Sequence, residues 1–198
     1  MRKIIVLTFV SLDGVMQAPG GPEEDTSGNF KHGGWTVPYF DDFLGQEMGE
    51  QMNRPFDLLL GRKTFEIFAS YWPQAEGGEN PINKATKYVA SNTLAGHEWE
   101  SAIFLNGDVV EKIRTLKEED GPDLQVHGSQ NLIQSLLAHD LVDEFWLKIF
   151  PVTLGTGKRL FGEGAMPASY TLVNAKSSPS GVIIAAFKRA GDLQTGSF

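Results

Sequence analysis

Glycine and small polar residues follow three short apolar segments of the chain, and at two of these junctions a helix-like pattern begins. These junctions are Gly61-Arg62-Lys63-Thr64, Ser91-Asn92-Thr93 and Gly128-Ser129-Gln130-Asn131. A strand that passes through glycine into a helix presents backbone N–H groups and the positive end of the helix dipole, a combination that binds phosphate. Arg62 and Lys63 add charge, and Thr64 and Ser91 add hydroxyls. The junctions at Gly61 and Gly128 are also compatible with a plain helix start, and Ser91-Asn92 is more typical of a polar turn, so their recurrence is what favours a dinucleotide ligand.

Two aspartates are candidates for proton transfer. Asp13 stands in Ser-Leu-Asp-Gly at the end of the first apolar segment, and Asp41 precedes the first amphipathic segment. A carboxyl group can act as an acid near neutral pH only when its pKa is raised. Both positions also have structural interpretations, because Asp-Gly is a common turn pair and aspartate is a common helix N-cap.

Motifs for other kinds of chemistry are missing from the sequence. It contains no cysteine, no Walker lysine motif, no Rossmann glycine triplet followed by an acidic residue, and no Gly-x-Ser-x-Gly elbow. The histidines are scattered without paired ligand spacing, so we expect no metal site. They are His32, His97, His127 and His139.

Apolar and amphipathic segments alternate through the first two thirds of the chain. Strands are predicted over residues 4–10, 57–60, 87–91, 102–105 and 124–126, and helices over residues 41–52, 109–117 and 132–138, with a further helix opening at residues 61–64. Three more strands follow without helices between them, at residues 143–150, 170–176 and 181–187. This order predicts an α/β domain with a largely parallel sheet, helices on both faces and an antiparallel C-terminal edge. The three junctions then share the carboxyl edge of the sheet, where ligands bind in such folds.

Residues 17–38 are rich in glycine and proline and show no hydrophobic periodicity, so we expect a loop that acts as a lid and carries substrate specificity. Residues 1–190 are predicted to form one domain, and residues 191–198 a frayed tail.

Composition limits the partners. The formal net charge is −8 and no basic run is present, which argues against nucleic acid. No stretch reaches the ~20 apolar residues of a membrane span, so we expect a cytoplasmic protein without membrane association.

The sequence resembles the dihydrofolate-reductase-like superfamily, in the branch of the C-terminal reductase domain of the riboflavin-biosynthesis deaminase-reductase and its stand-alone bacterial relatives. The resemblance runs from about residue 3 to residue 188 and is carried by "SLDG", "LLLGRKTFE", "VASNTL", "VHGSQNLIQSLL" and "VDEFWLKIFPVTLGTGKRLF". It implies a three-layer α/β/α fold around a mixed, mostly parallel sheet, NADPH as hydride donor, and a homodimer.

The resemblance also implies roles for individual residues. It puts Gly61, Arg62 and Thr64 on the cofactor phosphates, Ser91 and Asn92 near the 2′-phosphate, and residues 128–131 around the pyrophosphate. Residues 151–157, with Thr153 and Leu154, would border the nicotinamide and the substrate. "WTVPYFDDF" resembles the Trp-x-x-Pro stretch of dihydrofolate reductases, which makes Trp35 a substrate-binding candidate.

Two departures from the family pattern concern the substrate. His127 stands where relatives frequently carry a small residue, and Val15 follows "SLDG" where riboflavin-pathway enzymes commonly carry a lysine. The expected function is therefore an NADPH-dependent oxidoreductase that transfers a hydride to a small heterocyclic, carbonyl or imine substrate. The alternative is a non-catalytic NADPH-binding or ligand-sensing module of the same fold.

Overall fold

The computed structural model describes residues 1–75, 80–163 and 165–197. Its strands are β1 (Ile4–Ser11), β2 (Phe56–Gly61), β3 (Lys87–Ala90), β4 (Ala102–Leu105), β5 (Asp123–Val126), β6 (Glu144–Phe150), β7 (Ser169–Ser177) and β8 (Ile183–Gly191). Its helices are α1 (Asp42–Met52), α2 (Arg62–Tyr71), α3 (Pro81–Lys84), α4 (Val109–Glu118) and α5 (Gln130–Ala138).

The strands form one mixed sheet in the order β4-β3-β2-β5-β1-β6-β8-β7. Neighbouring strands from β4 to β6 run parallel, and β8 and β7 add an antiparallel edge. β1 lies between β5 and β6 in the interior of the sheet. Almost all of its side chains are buried, as expected for an apolar strand that is covered on both faces. The mixed sheet with an antiparallel C-terminal edge is confirmed.

Helices cover both faces of the sheet. On one face, Ile113 of α4 and Ile133 of α5 pack in a cluster with Val6 of β1. On the other, Leu44 of α1 packs with Phe150 of β6, and Phe65 of α2 belongs to the cluster around β2. This arrangement confirms the three-layer architecture. Among the described residues, every helix is too short or too polar to cross a bilayer.

Several boundaries differ from the sequence prediction. Helix α5 begins at Gln130 rather than at residue 132, and β8 begins at Ile183 rather than at residue 181. β8 also continues to Gly191, which was expected to lie in the tail. Arg189 explains the extension, because its guanidinium pairs with Asp140 at 2.7 Å and fastens the end of the strand.

Residues 17–38 are more ordered than the glycine content predicts. Two short 3-10 turns occur at Ser27–Asn29 and Val37–Tyr39. The indole of Trp35 donates to the Gln17 carbonyl at 2.8 Å, and the Thr36 hydroxyl donates to the Pro19 carbonyl at 2.7 Å. These bonds join the two ends of the segment to each other.

Candidate functional site

A cavity of about 720 Å³ lies between the sheet and the helices α1 and α2. This volume is within the range of ~300–1,000 Å³ that is usual for ligand pockets. Leu7 and Phe9 of β1 and Lys148 of β6 border it on the sheet side, and Met48 and Met52 of α1 border it on the helix side. The start of the segment 17–38 also contributes to the wall.

The strand order brings the three predicted junctions to one edge of the sheet. β3, β2 and β5 are consecutive and parallel, so the residues after each of them follow one another along this edge. The Gly61 N–H donates to the Gly128 carbonyl at 3.1 Å, which joins two of the junctions directly. A cis peptide bond links Gly128 and Ser129.

Glycine is needed at position 61 because another backbone lies too close for a side chain. A Cβ atom there would be 1.9 Å from the Ser129 Oγ and 3.0 Å from the Ser129 backbone nitrogen. At Gly128, a Cβ atom would be 2.5 Å from the Thr64 Oγ1. The glycines therefore let the beginnings of α2 and α5 approach each other.

The helices α2 and α5 begin beside the cavity without a side-chain cap. Gly61 at the N-cap of α2 has no side chain, and Ser129 at the N-cap of α5 accepts no capping bond. In contrast, α1, α3 and α4 are capped by Asp41, Asn80 and Asp108. Helix starts leave N–H groups without intrahelical acceptors. The two uncapped helices thus present N–H groups and two positive dipole ends at one edge of the cavity.

Most of the predicted phosphate-binding residues border this cavity. They are Lys63, Thr64, Gly128, Ser129, Gln130 and Asn131. Arg62 lies just outside it, with a half-exposed side chain that pairs with Glu66 at 3.0 Å. To reach a ligand phosphate, this guanidinium must leave a surface ion pair, which costs little because such pairs are weak.

Ser91 and Asn92 do not line the cavity. The Ser91 hydroxyl accepts from the Leu94 backbone N–H at 2.9 Å, and the Asn92 side chain accepts from the Gly107 N–H at 2.6 Å. They connect the ends of β3 and β4 and lie on the same edge of the sheet, beyond the α2 junction. Only a ligand that extends from the cavity along this edge would meet them.

Asp13 has a structural role in this structure. Its carboxylate accepts from the Ser11 hydroxyl at 2.6 Å and from the backbone N–H groups of Leu154 and Gly155 at 3.1 and 2.8 Å. The Ser11 hydroxyl and these amides lower the pKa of Asp13 to about 2, so the carboxyl group is ionised and holds no proton to donate near neutral pH. Asp13 is also absent from the cavity lining. The geometry therefore does not support the expected proton transfer by Asp13.

Asp41 caps α1 by accepting from the Leu44 N–H at 2.8 Å, and it also accepts from the Ser180 N–H at 3.0 Å. The Leu44 bond, followed by the Ser180 bonds, lowers the pKa of Asp41. This is the capping alternative that its position in the sequence had left open. Asp41 lies outside the cavity lining, so the structure does not bring the two aspartates together as proton donors.

The three predicted substrate-binding residues also lie outside the cavity lining. Trp35 is buried and packs edge-on against Phe150, at 5.3 Å between ring centroids. Thr153 is exposed, and the Leu154 N–H is used by Asp13. Trp35 stabilises the wall of the cavity from behind, and residues 153–154 belong to the turn that Asp13 holds.

Sequence reasoning missed Lys148, a charged side chain on the sheet side of the cavity. Lys148 of β6 is 3% exposed, and its ammonium donates to the Gln51 side chain of α1 at 2.5 Å. His127 borders the same cavity and pairs with the Gln125 side chain at 3.2 Å. One sequence signal existed for Lys148, because it is a lone cation inside the apolar strand "EFWLKIF".

Burial changes the protonation of these two bases. It lowers the pKa of Lys148 to about 7. Burial, with a smaller contribution from the Lys148 charge, lowers the pKa of His127 to about 3. His127 is therefore neutral near pH 7, whereas Lys148 changes its charge there.

The residues at the cavity edge fit the phosphates of a nicotinamide dinucleotide. Two uncapped helix starts meet where glycines allow close approach, and Lys63 adds a cation. Phosphate groups accept hydrogen bonds from such N–H groups. The residues that could hold these phosphates are Lys63, Thr64 and residues 128–131.

Comparison with known proteins is consistent with this geometry. The RibD C-terminal domain family matches residues 2–184. The protein YyaP of Bacillus subtilis (strain 168) is 30% identical over 190 residues, which cover 92% of this chain and 92% of YyaP.

Two solved structures share the fold. A protein assigned to riboflavin biosynthesis from Shewanella sp. PV-4 has a TM-score of 0.66 and 23% identity, covering 95% of this chain and 99% of the other. A dihydrofolate reductase from Enterococcus faecalis, complexed with NADP(H) and RAB-propyl, has a TM-score of 0.60 and 14% identity, covering 94% and 96%. With the family match over most of its length, the chain belongs to the RibD C-terminal domain family.

Proposed function

We propose that this protein is an NADPH-dependent reductase of a small heterocyclic, carbonyl or imine substrate. The observation that carries the proposal is the pair of uncapped helix starts, α2 and α5, beside one cavity of about 720 Å³. The family membership supports a reductase, and the related fold of the E. faecalis enzyme, which was solved with NADP(H), supports the choice of cofactor.

The proposed cofactor supplies a hydride, and the chain supplies binding and alignment. The N–H groups of residues 62–64 and 130–132 bind the pyrophosphate. Lys63 adds a positive charge beside them. Arg62, released from Glu66, binds the 2′-phosphate together with Ser91 and Asn92, which lie farther along the same edge.

The apolar part of the cavity holds the substrate. Leu7, Phe9, Met48 and Met52 exclude water from the place where a planar ring would lie. Exclusion of water strengthens the polar contacts that remain. The homodimer and the cytoplasmic location stay predictions.

Cofactor titration tests the proposal. NADPH and NADH are titrated into the wild-type protein, Arg62→Ala and the matched variant Glu66→Gln, with the quenching of tryptophan fluorescence as the readout. Arg62→Ala is expected to weaken NADPH more than NADH, by roughly tenfold, the value of one charge-assisted hydrogen bond. Glu66→Gln frees the guanidinium and is expected to keep or improve NADPH affinity. Equal losses for both cofactors would contradict the assigned role of Arg62.

Turnover separates the enzyme from the binding module. Oxidation of NADPH is followed by the loss of the absorbance of the reduced nicotinamide, in the presence of a panel of pterins, pyrimidinones and quinones. Steady consumption with any member supports the reductase. Tight NADPH binding without consumption supports the ligand-sensing module instead, and no binding of either cofactor refutes both.

A further inference from the structure

Lys148 lies where a charged side chain is costly. It projects from β6 toward α1 and is 3% exposed. On the sheet its direct neighbours are Phe9 of β1 and Ile184 of β8, both apolar. Burial of an ammonium group without a counter-charge is unfavourable, so such lysines in a cavity often have a function.

The hydrogen bonds of Lys148 are incomplete within the protein. An ammonium group has three N–H donors, and within the described parts of the chain the structure gives Lys148 one acceptor, the Gln51 Oε1 at 2.5 Å. No carboxylate in those parts forms an ion pair with it. Since Lys148 borders the cavity, a ligand can complete its hydrogen bonding.

The other charged groups of the cavity leave this ammonium uncompensated. Asp25 is neutralised by Lys158 at 2.5 Å. Burial raises the pKa of Glu24, whose carboxyl accepts from the Gly20 N–H at 2.6 Å. The titratable side chains that border the cavity besides Lys148 are Glu24, Asp25, Lys63, His127 and Lys158.

We propose that Lys148 binds the oxygen or nitrogen atom of a planar, conjugated carbonyl or imine substrate, and protonates that atom when the substrate is reduced. This inference rests on the reductase function proposed above. It specifies which end of the substrate faces β6 and α1, and it gives the reaction the proton source that neither aspartate supplies.

The proposed step is balanced. A hydride from the reduced nicotinamide forms a C–H bond at the electrophilic carbon, and the π electron pair of the C=O or C=N bond moves to the heteroatom. The heteroatom takes a proton as one N–H bond of Lys148 breaks, which leaves a neutral amine. Lys148 regains a proton from water after the product leaves.

The protonation state of Lys148 suits this role. Burial lowers its pKa to about 7, and an acid is most effective when its pKa is near the working pH. Neutral His127, at the end of β5, leaves Lys148 as the proton donor on the sheet side of the cavity.

Benzoate, a planar carboxylate, serves as a probe that does not depend on the cofactor or on the natural substrate. Its binding to the wild-type protein, Lys148→Met and the control Lys112→Met is measured by calorimetry at pH 6.5. Lys148→Met is expected to weaken benzoate by roughly 10- to 100-fold, as for a hydrogen bond between charged groups. Lys112 is exposed on α4 and lies outside the cavity lining, so Lys112→Met is expected to leave benzoate binding unchanged.

NMR of protein with 13C-labelled lysine provides a second readout. One lysine is expected to titrate near pH 7, to vanish in Lys148→Met, and to titrate at higher pH when benzoate is bound. Gln51→Leu leaves Lys148 in place but removes its acceptor, so it is expected to lower the pKa of Lys148 further. This variant keeps the test valid if Lys148→Met does not fold. Equal benzoate affinity in the wild type and Lys148→Met, or no benzoate binding to the wild type, overturns the proposal.

The same samples distinguish this inference from the reductase proposal. NADPH titration reports on the reductase alone, so lost benzoate binding with intact NADPH binding supports a substrate-side role of Lys148. If a substrate is found, Lys148→Arg retains the charge but cannot release a proton near neutral pH. It is expected to lower kcat more than it raises KM, and an unchanged kcat overturns proton donation.

Discussion

Replacement of Lys148 by methionine is expected to stabilise the protein, most strongly at and below neutral pH. The side chain is buried with one amide acceptor, and methionine fills a similar volume without a charge. In the folded state the pKa of Lys148 falls from 10.5 to about 7. The unfolded chain therefore binds more protons than the folded chain between these values, so wild-type stability rises with pH across this interval.

The size of the effect follows from the same values. At about 1.4 kcal/mol for each unit of pKa, the lowering of the Lys148 pKa from 10.5 to about 7 corresponds to a destabilisation of the wild type on the order of 4–5 kcal/mol below pH 7. Loss of the Gln51 hydrogen bond offsets about 1 kcal/mol of this. The free energy of unfolding of Lys148→Met should thus exceed that of the wild type by roughly 3–4 kcal/mol at pH 6.5. The difference should shrink by about 2 kcal/mol between pH 7 and pH 9, because Lys148 is already half neutral in the folded state at pH 7.

The free energy of unfolding is measured by urea unfolding at about pH 6.5, 8 and 9, which span the interval between the two pKa values. Tryptophan fluorescence and circular dichroism serve as probes. Lys112→Met is the matched control, because it removes an exposed lysine from α4. Parallel pH curves for the wild type and Lys148→Met would refute the reasoning. So would a lower free energy of unfolding for Lys148→Met at pH 6.5.

Three further predictions concern the junction glycine and the two aspartates. Gly61→Ala is expected to lower the free energy of unfolding by about 1–3 kcal/mol and to weaken NADPH binding, because its Cβ would lie 3.0 Å from the Ser129 nitrogen. Thermal unfolding and NADPH titration measure the two effects. Gly96→Ala is the control, because the space around Gly96 is open. Asp13→Asn should destabilise the protein at pH 7 but not near pH 2, since the lowered pKa of Asp13 adds stability that is lost as pH falls through it; equal destabilisation at both pH values would contradict this. Asp41→Ala should lower the melting temperature through the lost cap and leave NADPH affinity unchanged, and weaker NADPH binding would assign Asp41 to the site after all.

Local patterns were sufficient to predict the architecture. The alternation of strands and helices in the first two thirds of the chain, and its loss near the C-terminus, predicted the parallel sheet with an antiparallel edge that the structure shows. The junctions at Gly61 and Gly128 were found because glycine between a strand and a helix is a local signal. Once the strands are parallel, topology alone brings their carboxyl ends together.

Proton-transfer candidates could not be assigned from the sequence. Asp13 and Asp41 look like acids in isolation, but their charge depends on donors that lie far along the chain, such as Leu154 and Ser180. The order within residues 17–38 has the same origin, because the bond from Trp35 to Gln17 joins two ends of a segment without periodicity.

The sequence by itself determined which strands and turns form, because hydrophobic periodicity and glycine conformation act over a few residues. Only the tertiary structure decided which side chains meet in the cavity. Lys148 contacts Gln51 across 97 positions of the chain, and the pKa of Lys148 depends on how α1 covers that part of the sheet. Burial and charge are properties of the packed environment, so the chemistry of this lysine becomes visible only after the chain has folded.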